Sequence, residues 1–152
     1  MKAQKKMVTV PTLSVSSAIS FSVSGMIGAC PLELLVDTGA TVSLLNVNMW
    51  NKIDSTKLPL EQWTGKKLVG VNGAPLLVKG LTRAQVCIEG FEFVGNFVVS
   101  GELVVDAILG LDFLQQHNCV IDVGKKLLKF PSVDFSVGLQ DAGRCKQVTQ
   151  VV

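Results

Sequence analysis

The chain has 152 residues, 48% of them hydrophobic and 17% charged, with a formal net charge of +2. That length supports one domain burying roughly 70% of its extended surface, and the composition excludes a disordered tail. The small net charge gives no footing for nucleic acid or an anionic membrane as partner, so Lys2, Lys5 and Lys6 are read as keeping one end solvated.

Four cysteines (Cys30, Cys87, Cys119, Cys145) form no C-x-x-C pair, and His117 is the single histidine. Zinc held by Cys119 and His117 would need two further ligands from distant segments. A Cys/His hydrolase built on the same two residues fails because they lie only two positions apart. The expectation is reduced, mostly buried thiols in an intracellular protein, with no metal and no cofactor. Residues 7–32 are uncharged, but Ser, Thr, Pro and Gly break every apolar run before it reaches the length of a secretion signal or a bilayer span. No N-x-S/T acceptor occurs. A cytoplasmic protein without a membrane partner is expected.

In chain order, "AISFSVSG" alternates Ile19, Phe21 and Val23 with small polar residues, the period of a half-buried strand. "GMIG" (25–28) is read as a turn and "ACPLELLV" as the returning strand. "TVSLLNVNMWNKI" (41–53) starts extended and closes a short helix around Val47–Ile53, and Pro59 ends that region. Lys67–Val71 and Leu76–Val78 flank Asn72-Gly73, the pair favoured where both turn residues take positive φ, and predict a hairpin. Two strands surround Gly90, with Val86, Ile88, Phe91 and Phe93 alternating. "VVDAILG" is a further apolar strand, and "LDFLQQH" (111–117) an amphipathic helix of about two turns with Leu111, Phe113 and Leu114 inward. A last strand pair surrounds Gly124-Lys125. From Pro131 the pattern fades, and "LQDAGRCKQVTQVV" (139–152) reads as a frayed tail. The sum predicts an all-β closed barrel with one short helix late in the chain. Residues 1–152 are read as one domain, with an N-terminal arm at 1–17, a core at 18–130 and a C-terminal extension at 131–152.

Within the run "LLVDTGATVSLL" (34–45) stands a single carboxylate, Asp37. Burying it costs several kcal/mol unless it is satisfied or protonated. Asp-x-Gly alone is a common turn signature. Further on, "AILGLDFL" (107–114) echoes the same order of apolar strand, glycine and apolar continuation, and the Asn-Gly hairpin lies between the two. The two segments read as halves of one pseudo-symmetric unit.

With "LLVDTGATVSLL", "VGVNGAPL" and "VDAILGLDFLQQHNCVIDVGKKLL", the chain resembles the retropepsins, the single-domain aspartic proteases of retroviruses and LTR retrotransposons, and most of all the gypsy-type retroelement proteases. The last segment is also similar to the protease domain of DNA-damage-inducible ubiquitin-shuttle proteins. The resemblance spans most of residues 18–130 and implies a homodimer. The chemistry agrees, because aspartic proteolysis needs two carboxyl groups about 3 Å apart sharing one proton, and this chain has one D-T-G.

By the resemblance, Asp37, Thr38 and Gly39 form the catalytic loop. One Asp37, ionised, deprotonates a water that attacks the scissile carbonyl, while the partner copy's Asp37 protonates the carbonyl oxygen. Thr38 reaches across the two-fold axis. The Gly39 carbonyl and the backbone at Ala40 and Thr41 pair with an extended substrate peptide. Residues 67–78 are the flap, with Val69, Gly70 and Val71 near the substrate. Leu35, Leu44 and Ile108 either line side-chain pockets or belong to the core. Many viral members carry an Asp two residues after the D-T-G glycine and an Arg after the second-half glycine; here these positions are Thr41 and Leu111. Asp112 is expected to hydrogen-bond Ser43 or backbone in their place, or to serve as an N-terminal helix charge. The implied activity is cleavage of a Gag-Pol-like polyprotein, with the retroelement particle as its setting. The alternatives are a dimeric binding module on this fold, or a ubiquitin-shuttle-type protease domain with little activity.

Overall fold

The computed structural model describes residues 19–53, 58–70, 73–101, 103–144 and 150–151. In chain order these form β1 (Ile19–Ile27), β2 (Cys30–Val36), β3 (Ser43–Asn46), α1 (Val47–Lys52), β4 (Leu68–Val69), β5 (Val78–Ile88), β6 (Phe91–Ser100), β7 (Ala107–Leu109), α2 (Leu111–Gln116), β8 (Val120–Asp122), β9 (Leu127–Phe130), β10 (Phe135–Gly138), β11 (Gln140–Arg144) and β12 (Gln150–Val151). A 3-10 turn, Pro131–Val133, links β9 to β10. No helix among the described residues is long and apolar enough to cross a membrane.

The main sheet runs β11-β1-β2-β7-β3-β6-β5, and β5 returns to pair with the end of β1 through Met26↔Cys87 and Ile27↔Val86. Six strands therefore close on themselves as an all-β barrel. One edge of β1 is shared, its first half taken by β11 and its last residues by β5. β7 sits at the centre, parallel to β2 (Leu35↔Ile108) and antiparallel to β3 (Leu44↔Ile108).

That position explains the apolar run around Asp37. Successive strand residues point to opposite faces. Leu34, Leu45 and Leu109 belong to the main core with Val86, Phe97 and Phe113, whereas their neighbours Leu35, Leu44 and Ile108 enter a second cluster with Ala40, Leu68, Val98 and Leu103. Both faces of β3 and β7, and of β2 at Leu34–Leu35, are buried, so alternation is lost from the sequence there.

Asn46 joins β3 to α1. Its Oδ1 accepts from the Asn48 N–H at 2.8 Å, and its Nδ2 donates to the carbonyls of Leu103 (3.0 Å) and Val105 (3.1 Å). This is a preferred helix N-cap that also ties down the loop before β7.

The structure alters several expectations. Among the described residues there are two short helices where the sum predicted one: α1 forms over most of the Val47–Ile53 stretch, as that stretch by itself predicted, besides the late α2. β1 runs through Gly25 and turns only after Ile27, as the Gly25 backbone packs against β5 too closely for a side chain: an added Cβ would lie 3.0 Å from the Cys87 carbonyl oxygen. The hairpin arms are shorter than 67–71 and 76–78, and Val78 already belongs to β5; Asn72 lies outside the described residues. Beyond Pro131, β10 pairs with β9, and within the expected frayed tail β11 pairs with β1 and β12 with β4, while 145–149 and 152 lie outside the described residues. Phe135 anchors this region by stacking on Phe91 with ring centroids 4.3 Å apart. Cys30, Cys87 and Cys119 are free and half-buried, less enclosed than expected.

Candidate active site

Asp37 leaves the end of β2. Its N–H donates to the Leu109 carbonyl at 3.1 Å, one step beyond the parallel β2–β7 pairing. The chain then turns: the Ala40 N–H donates to the Asp37 carbonyl at 3.2 Å, and the Gly39 N–H donates to Asp37 Oδ1 at 2.8 Å. The carboxylate is thus oriented by its own loop, as an Asx turn. Burial pushes the Asp37 carboxyl above its ordinary value of 3.8, and the Gly39 hydrogen bond pulls it partly back.

The second half supports the loop from behind. The Leu111 N–H donates to the Ala40 carbonyl at 2.8 Å. Gly110 presses against this backbone: a Cβ there would lie 2.5 Å from the Val42 oxygen and 2.8 Å from the Ala40 oxygen, which only glycine avoids. The Gly110 N–H donates to Ser43 Oγ at 2.9 Å, and the Ser43 hydroxyl donates to Asp112 Oδ1 at 2.6 Å. The Phe113 N–H donates to the same oxygen at 2.7 Å. Asp112 therefore bonds both Ser43 and backbone.

Of the residues singled out in the sequence, Thr38, Gly39 and Thr41 are exposed around Asp37, while Ala40 is buried. Thr38 borders a hollow of about 560 Å³ with Leu111, Leu114, Cys119 and Ile121. A larger hollow, about 780 Å³, lies by Gly28, Lys52 and Arg83 and includes none of these residues. Leu35 is 3% exposed, and Leu44 and Ile108 are fully enclosed. In the single subunit these three pack on one another, and their cluster reaches Leu68 at the base of the hairpin. Val69 and Gly70 are half-buried. The hairpin is closed by Gly70 N–H to Ala74 O, Gly73 N–H to Gly70 O and Leu76 N–H to Leu68 O, each 2.9 Å. Val71 lies outside the described residues. Sequence reasoning did not foresee Leu68 and Leu103 in this cluster. Nor did it foresee the pairing of β12 with β4, since a strand contributed through backbone leaves little apolar signature.

The family described as "gag-polyprotein putative aspartyl protease" matches residues 23–116, which include the Asp37 loop, the hairpin, β7 and α2. The chain belongs to this family of retropepsin-like aspartic protease domains. Protein DDI1 homolog 2 of Mus musculus is 30% identical over 98 residues, 64% of this chain and 24% of that protein. Its Homo sapiens counterpart is 26% identical over 115 residues, 76% of this chain and 28% of that protein. The retropepsin-like chain thus spans about a quarter of the length of these curated relatives. Among solved structures, the retroviral protease-like domain of Ddi1 from Leishmania major superposes with a TM-score of 0.60 at 20% identity, covering 80% of this chain and 94% of that one. The EIAV protease complexed with the inhibitor HBY-793 gives 0.53 at 24%, covering 67% and 91%. At these identities the two structures establish the retropepsin-like fold.

Proposed function

We propose that the chain is an aspartic endopeptidase that works as a homodimer, with Asp37 from each copy forming the catalytic pair. The observation that carries this reading is the Asp37 loop. It holds one carboxyl with a raised proton affinity at the end of a doubly buried strand, fixed by Leu109, Gly39 and Ala40. A lone carboxyl cannot supply both general base and general acid in one step; two sharing a proton can. Once paired, the two titrate as a unit. The ionised member takes a proton from water as that water attacks the peptide carbonyl, and the protonated member donates to the carbonyl oxygen. Thr38, exposed beside Asp37, contacts the partner loop. Gly39, Ala40 and Thr41 offer backbone to an extended peptide, and the Val69–Gly70 side of the flap covers it. Leu35, Leu44 and Ile108 shape its pockets from beneath. The catalytic core is placed at residues 18–130, the substrate is a Gag-Pol-like polyprotein of an LTR retroelement, and the compartment is the cytoplasm or the element's particle.

The test is cleavage of a peptide library across pH, with sedimentation in the same buffer. Cleavage is expected only where dimer forms, and Asp37→Asn should abolish it while leaving fold and dimer intact. Cleavage by the Asn variant, or by a chain that stays monomeric, overturns the reading.

The likeness to the DDI1 homologues favours a second reading, a cellular ubiquitin-shuttle-type protease domain with little activity. A statine peptide that raises the melting temperature without measurable cleavage of any library member would select it.

A further inference from the structure

The flap strand β4 has both edges in use. Leu68 accepts from the Leu76 N–H, and the Gly70 N–H donates to Ala74, so these two residues turn their backbone groups toward the hairpin's own second arm. Alternation along an antiparallel strand then turns the N–H and C=O of Val69 to the opposite edge. That edge carries β12, antiparallel, with Gln150 opposite Val69 and Val151 opposite Leu68. A strand has two edges and no third, so a peptide that adds to the flap must first displace residues 150–151.

The strand that precedes this segment in the described residues lies nearby. β11 lies along the first half of β1, with Arg144 opposite Ile19 and Gln140 opposite Ser22. Within β11, Ala142 packs on the cluster of Leu35, Leu44, Leu68 and Ile108. β11 thus adjoins the cluster beneath the flap.

We propose that residues 150–151 act as a pseudo-substrate strand: the chain's own C-terminal segment occupies in cis the flap edge that a substrate peptide uses, and substrates compete with it. This rests on the endopeptidase reading and deepens it. It also names the chemistry the edge accepts, an extended peptide that pairs through its backbone as Gln150-Val151 does. A tethered segment competes at millimolar effective concentration. One that covers the edge nine-tenths of the time weakens apparent substrate affinity about tenfold.

The experiment uses the full chain carrying Gln150→Pro and Val151→Pro together, since proline removes the N–H groups and does not tolerate strand pairing. Relative to the native chain, KM is expected to fall about tenfold with kcat unchanged, and the Val69 amide should exchange faster with deuterium. The synthetic peptide KQVTQVV, residues 146–152, should inhibit the proline variant competitively and the native chain far less. An unchanged Val69 exchange rate overturns the contact whatever the activity. Faster exchange with unchanged KM, or a peptide that fails to inhibit an active proline variant, overturns the competition while leaving the endopeptidase reading standing. Absence of both cleavage and statine-peptide binding in the two forms removes the endopeptidase reading and the competition with it.

Discussion

The Ser43 hydroxyl donates to Asp112 Oδ1 across 2.6 Å and so ties the strand after the Asp37 loop to the first turn of α2. Ser43 is fully buried, and its own Oγ accepts the Gly110 N–H at 2.9 Å. Removing it strands two groups at once.

Ser43→Ala is therefore expected to lower stability by about 1–3 kcal/mol, the cost of leaving buried polar groups unsatisfied. Urea unfolding measures it. Asp112→Asn keeps an acceptor oxygen and should cost less, and in the double variant the losses should fall short of additive because the two residues share one bond. Additive losses would show that the bond contributes nothing.

Asp37 sets a pH dependence. Its folded-state proton affinity is raised by burial, against the lowering Gly39 bond. A raised folded value gives stability that is complete below the unfolded value, near 3.8, and is lost as pH rises through the folded one. Asp37→Asn keeps an oxygen for the Gly39 N–H and cannot ionise. It should therefore be more stable than the native subunit near neutral pH, with the difference closing as the medium approaches pH 3.8. Denaturant titrations at low protein concentration check this; a difference that does not change with pH contradicts it.

Gly110→Ala places a methyl group against the backbone of Val42 and Ala40 rather than against a side chain that can swing away. The expected loss is at least about 2 kcal/mol. Because Leu111 N–H to Ala40 O holds the Asp37 loop from this side, cleavage should fall even at temperatures where the variant stays folded. Thermal unfolding alongside kcat at low temperature separates the two effects.

The Cys119 thiol is pushed up to about 12 by burial alone. Near pH 8 only about one molecule in ten thousand then carries the reactive thiolate. Iodoacetamide should modify Cys119 far more slowly than it modifies glutathione, and peptide mass mapping over time measures the ratio. Rapid labelling would mean that the hollow beside Thr38 opens in solution.

Much of this architecture is written locally. The Asp37 turn, the strands around Gly90, α2 over Leu111–Gln116 and the β8–β9 pair follow from periodicity and turn residues. What escaped depends on partners distant in sequence. β11, "QDAGR", has no alternating apolar face, because it is held to β1 through backbone at the sheet edge. The flap arms are shorter than their β-rich composition suggests, since Val78 pairs with Ser100 in the long β5–β6 ladder. Leu35, Leu44 and Ile108 could not be assigned to pocket or core from composition, because a residue enclosed in one subunit can still form the floor of a groove that two subunits complete. The Ser43–Asp112 bond was foreseeable from the absence of the charged pair seen in many viral members.

The threading of β7 between β2 and β3 also orders events during synthesis. Leu109 supplies the carbonyl that receives the Asp37 N–H, yet it is translated 72 residues later. A ribosome-bound chain that ends before this point has its acidic loop but not the strand that steadies it. Contacts so far apart in sequence close late and slowly. The Asp37 loop is thus steadied only once β7, the last strand of the closed barrel in chain order, is available to fold.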